Sequence, residues 1–213
     1  KIAPSAPHAL HMPSHIFTRL GMWRESIESN LASAHTAQEW VAKTRPGATA
    51  FDALHAMDYL EYAYLQTGQD AAARAVADSV ALVTSFDAPA FSAGYGLAAI
   101  PARYALERRD WKGAANIRVR PASYPWDKYA YAEAIVHFAR AVGAARLGDL
   151  PTARTAVARL QEIQTGLRGQ KGFDWASQVE IQRRAAAAWL ARAEKKNDDA
   201  LALMRSAAAL EDS

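Results

Sequence analysis

The chain is 213 residues long, with 51% apolar and 22% charged residues, a net charge of +3 and no cysteine. Such a composition fits a globular chain with ample material for a core, and the lack of cysteine excludes disulfides, thiolate metal sites and thiol nucleophiles. Basic and acidic residues are interspersed, which argues against a nucleic-acid surface, and the longest uncharged run, Ala88 to Ala102, is too short and too rich in Gly and Pro to cross a membrane.

From the start of the chain onward nearly every long segment has helical spacing and is rich in alanine, the best helix former. The first, PHALHMPSHIFTRLG at Pro7 to Gly21, carries three of the six histidines, His8, His11 and His15. At about 100° per residue these three fall within an arc of roughly 60° on one helix. Pro13 qualifies this. Either it kinks a continuous helix, or a helix begins there and His8 and His11 sit on a loop.

Further along, the breaks share one form, a short turn followed by an Ala-rich helix start. They read LGMWRESI at Leu20 to Ile27, TGQDAAAR at Thr67 to Arg74 and ERRDWKGAA at Glu107 to Ala115. LGDLPTAR follows at Leu147 to Arg154, then the weaker KKNDDALAL at Lys195 to Leu203. The turn marks Gly21, Gly68, Arg109, Gly148 and Lys195 lie about 40 to 47 residues apart, a solenoid-like period. Asp110 and Asp149 are expected to cap the helices that follow them. The proline-bound stretch RPASYP at Arg120 to Pro125 marks the expected break between residues 1–120 and 121–213. GLRGQKG at Gly166 to Gly172 lacks the Walker pattern and reads as a loop.

At these turns the chain resembles the tetratricopeptide repeat family. The family places a small residue at the turn, an aromatic two on and Ala three after that. Gly21 and Trp23 match, with Ser26 in the Ala place; Trp111 and Ala114 match around Arg109; Gly148 matches with Ala153, and Gly68 with Ala73. HALHMPSHI is further similar to a stretch in a group of large, poorly characterised bacterial repeat proteins. The resemblance implies an all-α, right-handed α-solenoid of about five helix-turn-helix hairpins, forming one continuous array across both halves. In the same register Lys1 to Pro4 would be the tail of an earlier repeat, making the chain a C-terminal piece of a longer array.

The resemblance also implies a concave groove lined by three places on the first helix of each hairpin. Counted back from Gly21 these are His8, His11 and His15; from Gly68 they are His55, Asp58 and Tyr62; from Arg109 they are Gly96, Ala99 and Arg103. The expected ligand groove therefore comprises His8, His11, His15, Arg19, His55, Asp58, Tyr62 and Arg103. Within it His8, His11, His15, His55 and Asp58 offer an N/O shell for a zinc-like divalent metal. The competing reading is that these histidines bond to one another, to Tyr59, Tyr62 or Tyr64, or to the backbone. Ser26, Asn30 and Ser33 form a polar stripe on the next helix that would fix an imidazole tautomer. His35 and His137 are read as packed or surface residues.

The principal functional reading is a scaffold that binds a peptide or protein segment, or upstream repeats of its own chain, in the concave groove. A metal-binding protein is the alternative. A metal-dependent enzyme is a third, weakened because Met12, Pro13 and Ser14 separate His11 from His15, so the Glu of H-E-x-x-H is missing and only Asp58 or Glu61 stands near as a base. The apolar stripe of the last helix, at Leu201 and Met204, calls for a cover, either more chain or a second copy. Neither nucleic acid nor membrane is an expected partner, and bacterial cytoplasm and periplasm are both open.

Overall fold

The computed structural model describes residues 3–212; Lys1 and Ile2 of the expected repeat tail, and Ser213, lie outside them. Among the described residues eleven helices follow one another. They are α1 (Pro7–His11), α2 (Ser14–Arg19), α3 (Trp23–Thr44), α4 (Phe51–Gln66), α5 (Asp70–Ala81), α6 (Phe91–Glu107), α7 (Trp111–Asn116), α8 (Ala130–Leu147), α9 (Leu150–Leu167), α10 (Trp175–Ala193) and α11 (Asn197–Glu211). Among the described residues the only extended pairing is an isolated bridge, Thr49 with Phe86.

The five turn marks share one conformation. Gly21, Gly68, Arg109, Gly148 and Lys195 all have positive φ, between 55° and 79°. Each ends a helix with the same pair of bonds. At the fourth turn Gly148 N donates to Ala145 O (3.2 Å) and Asp149 N to Ala144 O (2.9 Å). The corresponding longer bonds, Met22 to Phe17, Gln69 to Tyr64, Asp110 to Ala105 and Lys196 to Ala191, are all 2.8–2.9 Å. This is the Schellman cap, which satisfies carbonyls that a helix end leaves orphaned. The next helix starts at once, and Asp110 and Asp149 cap it as expected, accepting from Gly113 N at 2.8 Å and Thr152 N at 3.1 Å. So short a turn presses the paired helices together five residues on, where Ser26, Ala73, Ala114 and Ala153 are all 0% exposed.

The chain gathers into two compact units. The first contains residues 1–104 and 120–125, the second 105–119 and 126–213. The division therefore passes through α6 rather than through the RPASYP connection. Tyr124 explains this. It is buried in the first unit, donates its hydroxyl to Ala90 O at 2.7 Å and packs its ring on Phe86. Gly94 makes the room, since a Cβ there would lie 2.5 Å from the Tyr124 hydroxyl. The connection is thus a plug in the first unit's core.

In the first unit α3 packs on α1, α2 and α4, and α4 on α5, around Val41, Leu54 and Ile100. Asp87 ties two connections together, accepting from Phe51 N at the start of α4 and from its neighbour Ala88 N, both at 2.8 Å. In the second unit α8 packs on α7, α9 and α10, and α11 on α10, around Val136, Leu160 and Val179.

Arg109 and Lys195 hold a left-handed conformation that costs an L-residue about 1–2 kcal/mol. Replacing either by Gly should raise stability by up to about 1 kcal/mol, read by urea denaturation, whereas Gly148→Ala should lower it by a similar amount. Equal effects of the two kinds of change would show that the turn conformation is not what limits stability there.

Candidate functional site

The site begins with Pro13. It removes the backbone donor that would have reached Ala9 O, yet its own dihedrals stay helical (φ −60°, ψ −27°), as do those of Met12. Met12 N still reaches His8 O at 3.0 Å, and Phe17 N reaches Pro13 O at 3.1 Å. The result is one helical path broken into α1 and α2, not a loop followed by a helix. His11 and His15 stay on one face across the break.

A polar stripe on α3 holds this broken path in place. Ser26, Asn30 and Ser33 are all 0% exposed. Ser33 donates to Pro7 O at 2.8 Å, Ser29 donates to Leu10 O, and the hydroxyls of Ser26 and Thr18 lie 3.3 Å apart. Asn30 is pinned through its amide, which donates to Ser26 O at 2.8 Å. Its carbonyl oxygen therefore faces His11 Nδ1, 2.7 Å away. An acceptor there requires the proton on Nδ1, which leaves Nε2 of His11 as the free lone pair.

That lone pair faces the other histidines. His11 Nε2 lies 3.0 Å from His15 Nε2, and the Tyr59 hydroxyl lies 3.0 Å from His15 Nδ1. The His55 ring, on α4, is centred 4.3 Å from that of His11 and 6.1 Å from that of His15. One nitrogen from each of His11, His15 and His55 lies within 4.8 Å of the others. His8 sits at the margin, exposed, with its ring 6.3 Å from that of His11.

All three clustered imidazoles are pushed toward the neutral form. Burial lowers the pKa of His11, the Asn30 bond partly opposes this, and positive charge on His15 and His8 adds to it. Burial likewise lowers His15, helped by His8 and Arg19. His55 is lowered to about 4, by burial first and then by His11, His15 and His8.

One turn further along α4 the chemistry changes sign. Asp58 and Glu61 are buried carboxylates, and Arg103 from α6 bridges them, at 2.8 Å to Asp58 Oδ1 and 2.7 Å to Glu61 Oε2. Arg103 also donates to Asp58 O, and its guanidinium lies 5.4 Å from the Tyr62 ring centre. Burial opposes the Arg103 charge, but the two carboxylates outweigh it and raise its pKa.

Between the triad and the histidines lies a pocket of about 400 Å³, lined by Thr18, His55, Asp58, Tyr59, Tyr62, Phe91, Ser92, Tyr95 and Arg103. Burial raises the pKa of Tyr95, with the Asp58 charge adding to it, so its phenol stays protonated. The structure thus brings His11, His15 and His55 together and gathers Asp58, Tyr62 and Arg103 beside them. Asp58 is held by Arg103 rather than joining the imidazoles, and Arg19 is exposed on α2. Sequence reasoning missed Tyr95, Phe91 and Ser92, and missed that Glu61 completes the triad. The available signal was Gly96, a groove place without a side chain: a Cβ there would lie 2.8 Å from Leu54 O, so α6 closes on α4 and brings Tyr95 with it.

In the second unit His137 bonds Glu133 at 3.1 Å beside Arg159, a packed residue as expected. His35 lies exposed on α3, 3.7 Å from Glu39.

Two measurements probe these electrostatics. Since His55 has a folded pKa below its unfolded value of 6.5, protonation favours the unfolded chain. Stability of the chelator-treated protein should be flat above about pH 6.5, fall as pH drops, and level off near pH 4. The loss at pH 5 from His55 alone should be at most about 2 kcal/mol, because solvent at the pocket screens part of it. A urea-denaturation series from pH 8 to 4 reads this, and His55→Gln should make the fall shallower, leaving the part that His11 and His15 contribute. Separately, Arg103→Met removes the cation shared by two buried carboxylates and should cost about 3–5 kcal/mol, while adding Asp58→Asn and Glu61→Gln should restore much of the loss.

Comparison with protein-family models, with curated proteins and with solved structures finds no match to this chain.

Proposed function

We propose that the chain is a binding scaffold of the tetratricopeptide type, a right-handed solenoid of about five hairpins whose concave groove takes a peptide or protein segment. The observation that carries this reading is the origin of the pocket walls. Thr18 comes from α2, His55, Asp58, Tyr59 and Tyr62 from α4, and Phe91, Ser92, Tyr95 and Arg103 from α6. These are the first helices of three successive hairpins, and no second helix contributes. Stacked hairpins place their first helices on the inner side, so a pocket built from first helices alone is what a concave groove provides.

The chemistry of the walls supports a peptide. Rigid aromatic rings offer contact area at low entropic cost, and a peptide's amides and side chains find a carboxylate, hydroxyls and a guanidinium along one wall. Repetition of the turn supports the array, because five identical caps set five hairpins by the same rule. Among the described residues no helix is long and apolar enough to cross a membrane.

The test is selection from a random peptide display library against the immobilised chain. Selected peptides should bind with micromolar or better affinity and lose at least tenfold for Tyr95→Ala and for Tyr62→Ala, with the helical circular dichroism retained. Peptides that bind both variants as well as the parent would take the pocket out of the function.

A further inference from the structure

We infer that His11, His15 and His55 form a binding site for one divalent transition-metal ion of the imidazole-preferring class, with zinc as its representative. This goes beyond the groove reading and does not rest on it.

Position comes first. Donors bound to one zinc at about 2.0–2.1 Å in a tetrahedron lie roughly 3.3 Å apart. The His11 and His15 nitrogens are 3.0 Å apart, and one nitrogen of each of the three rings lies within 4.8 Å of the others. Closing the set to a zinc tetrahedron requires the longest of these separations to shorten by at most about 1.5 Å.

Orientation is the second requirement, and α3 supplies it. Asn30, 0% exposed and pinned by Ser26 O, holds the proton of His11 on Nδ1 and aims Nε2 at the cluster. A ligating imidazole typically donates its other N–H to a fixed acceptor in this way. His15 follows by changing tautomer: when an ion takes its Nε2, the proton moves to Nδ1, which then donates to the Tyr59 hydroxyl 3.0 Å away.

The metal-free arrangement explains only two of the three rings. Tyr59 donates to His15 Nδ1, His15 Nε2–H donates to His11 Nε2, and His11 Nδ1–H donates to Asn30. That chain uses every nitrogen of His11 and His15. His55 has no place in it, and no hydrogen bond among the described residues engages its ring. His55, whose ring lies 4.3 Å from that of His11 and also lines the pocket, is thereby left free to serve as the third ligand.

Charge supplies an independent argument. Three neutral imidazoles bring no negative charge to an ion, but the buried carboxylate of Asp58 stands one turn along α4 from His55. The Asp58 field already reaches His11, where it favours positive charge. A divalent cation among the rings sits in that field. The set is three imidazoles rather than the five-residue shell expected from sequence, and its all-nitrogen character disfavours magnesium and calcium. His55 also lines the pocket, so the fourth coordination position opens there.

The decisive experiment uses the untagged chain, stripped with chelator. Cobalt(II) is titrated while visible d–d absorption is recorded, and zinc is then added in competition. One equivalent should bind with tetrahedral-type absorption, and zinc should displace it. His55→Gln leaves the Tyr59–His15–His11–Asn30 chain intact, so this variant should fold normally. Its affinity for zinc should fall at least a hundredfold, and that of Asn30→Ala tenfold or more. His35→Gln should behave as the parent. No cobalt signal in the folded parent would overturn the inference. So would one equivalent bound with parental affinity by His55→Gln, which would place the ion elsewhere.

Discussion

Five times the chain ends a helix on a residue with positive φ and starts the next helix two residues later. Both orphan carbonyls of the cap are satisfied within the turn, so no long connection is required. The helices meet immediately beyond it, which admits only a small side chain at Ser26, Ala73, Ala114 and Ala153. The same turn sets the register of each first helix. His15, Tyr62 and Arg103 each stand six residues before their turn, and His8, His55 and Gly96 each stand thirteen before it. Equivalent places can therefore hold different chemistry without changing the frame. In the third hairpin the place that carries histidine in the first two is Gly96, and the missing side chain is what lets α6 approach the α4 backbone at Leu54.

Within that frame the first unit buries polar groups in two contrasting ways. The α3 stripe spends hydroxyls and one amide to hold α1 and α2, whose ladder Pro13 has interrupted. Every bond there is neutral, and the imidazoles are kept neutral with it. The triad of Asp58, Glu61 and Arg103 instead buries formal charge, with the guanidinium serving both carboxylates. The two arrangements meet at α4, since His55 and Asp58 are one turn apart. A neutral cluster of imidazoles and a buried ion pair thus share one pocket wall, and that pairing gives the pocket its chemical character.

Much of this was legible beforehand. Turn composition located the five left-handed residues that end one helix two places before the next, because a tolerant residue followed five places on by a small one reflects a steric requirement that recurs. The spacing of His11 and His15 announced their common face, and Ser26, Asn30 and Ser33 were visible as polar residues at packing places. What stayed hidden depended on contacts between distant segments. Whether Pro13 kinks or starts a helix is decided by the bonds α3 makes to it. Asp58 had two suitors, the histidines and Arg103, and a residue 45 positions away took it. His8 shares the helix face of His11 but lies at its exposed end, with its ring 6.3 Å from that of His11. The connection at 120–125 had the composition of a linker, yet one aromatic side chain docked it in the first unit.

That docking has a consequence for how the chain can be dissected. The polypeptide leaves the first unit after residue 104, returns for residues 120–125, and leaves again. No single cut therefore yields both units whole. A fragment ending at 104 lacks Tyr124 and opens the space beneath Gly94, while a fragment starting at 105 carries Tyr124 away from the socket that buries it. Expression of either half alone should be designed around this interlacing: the first unit needs residues 120–125 supplied by a shortened linker in place of 105–119, and the second needs Tyr124 replaced by a polar residue.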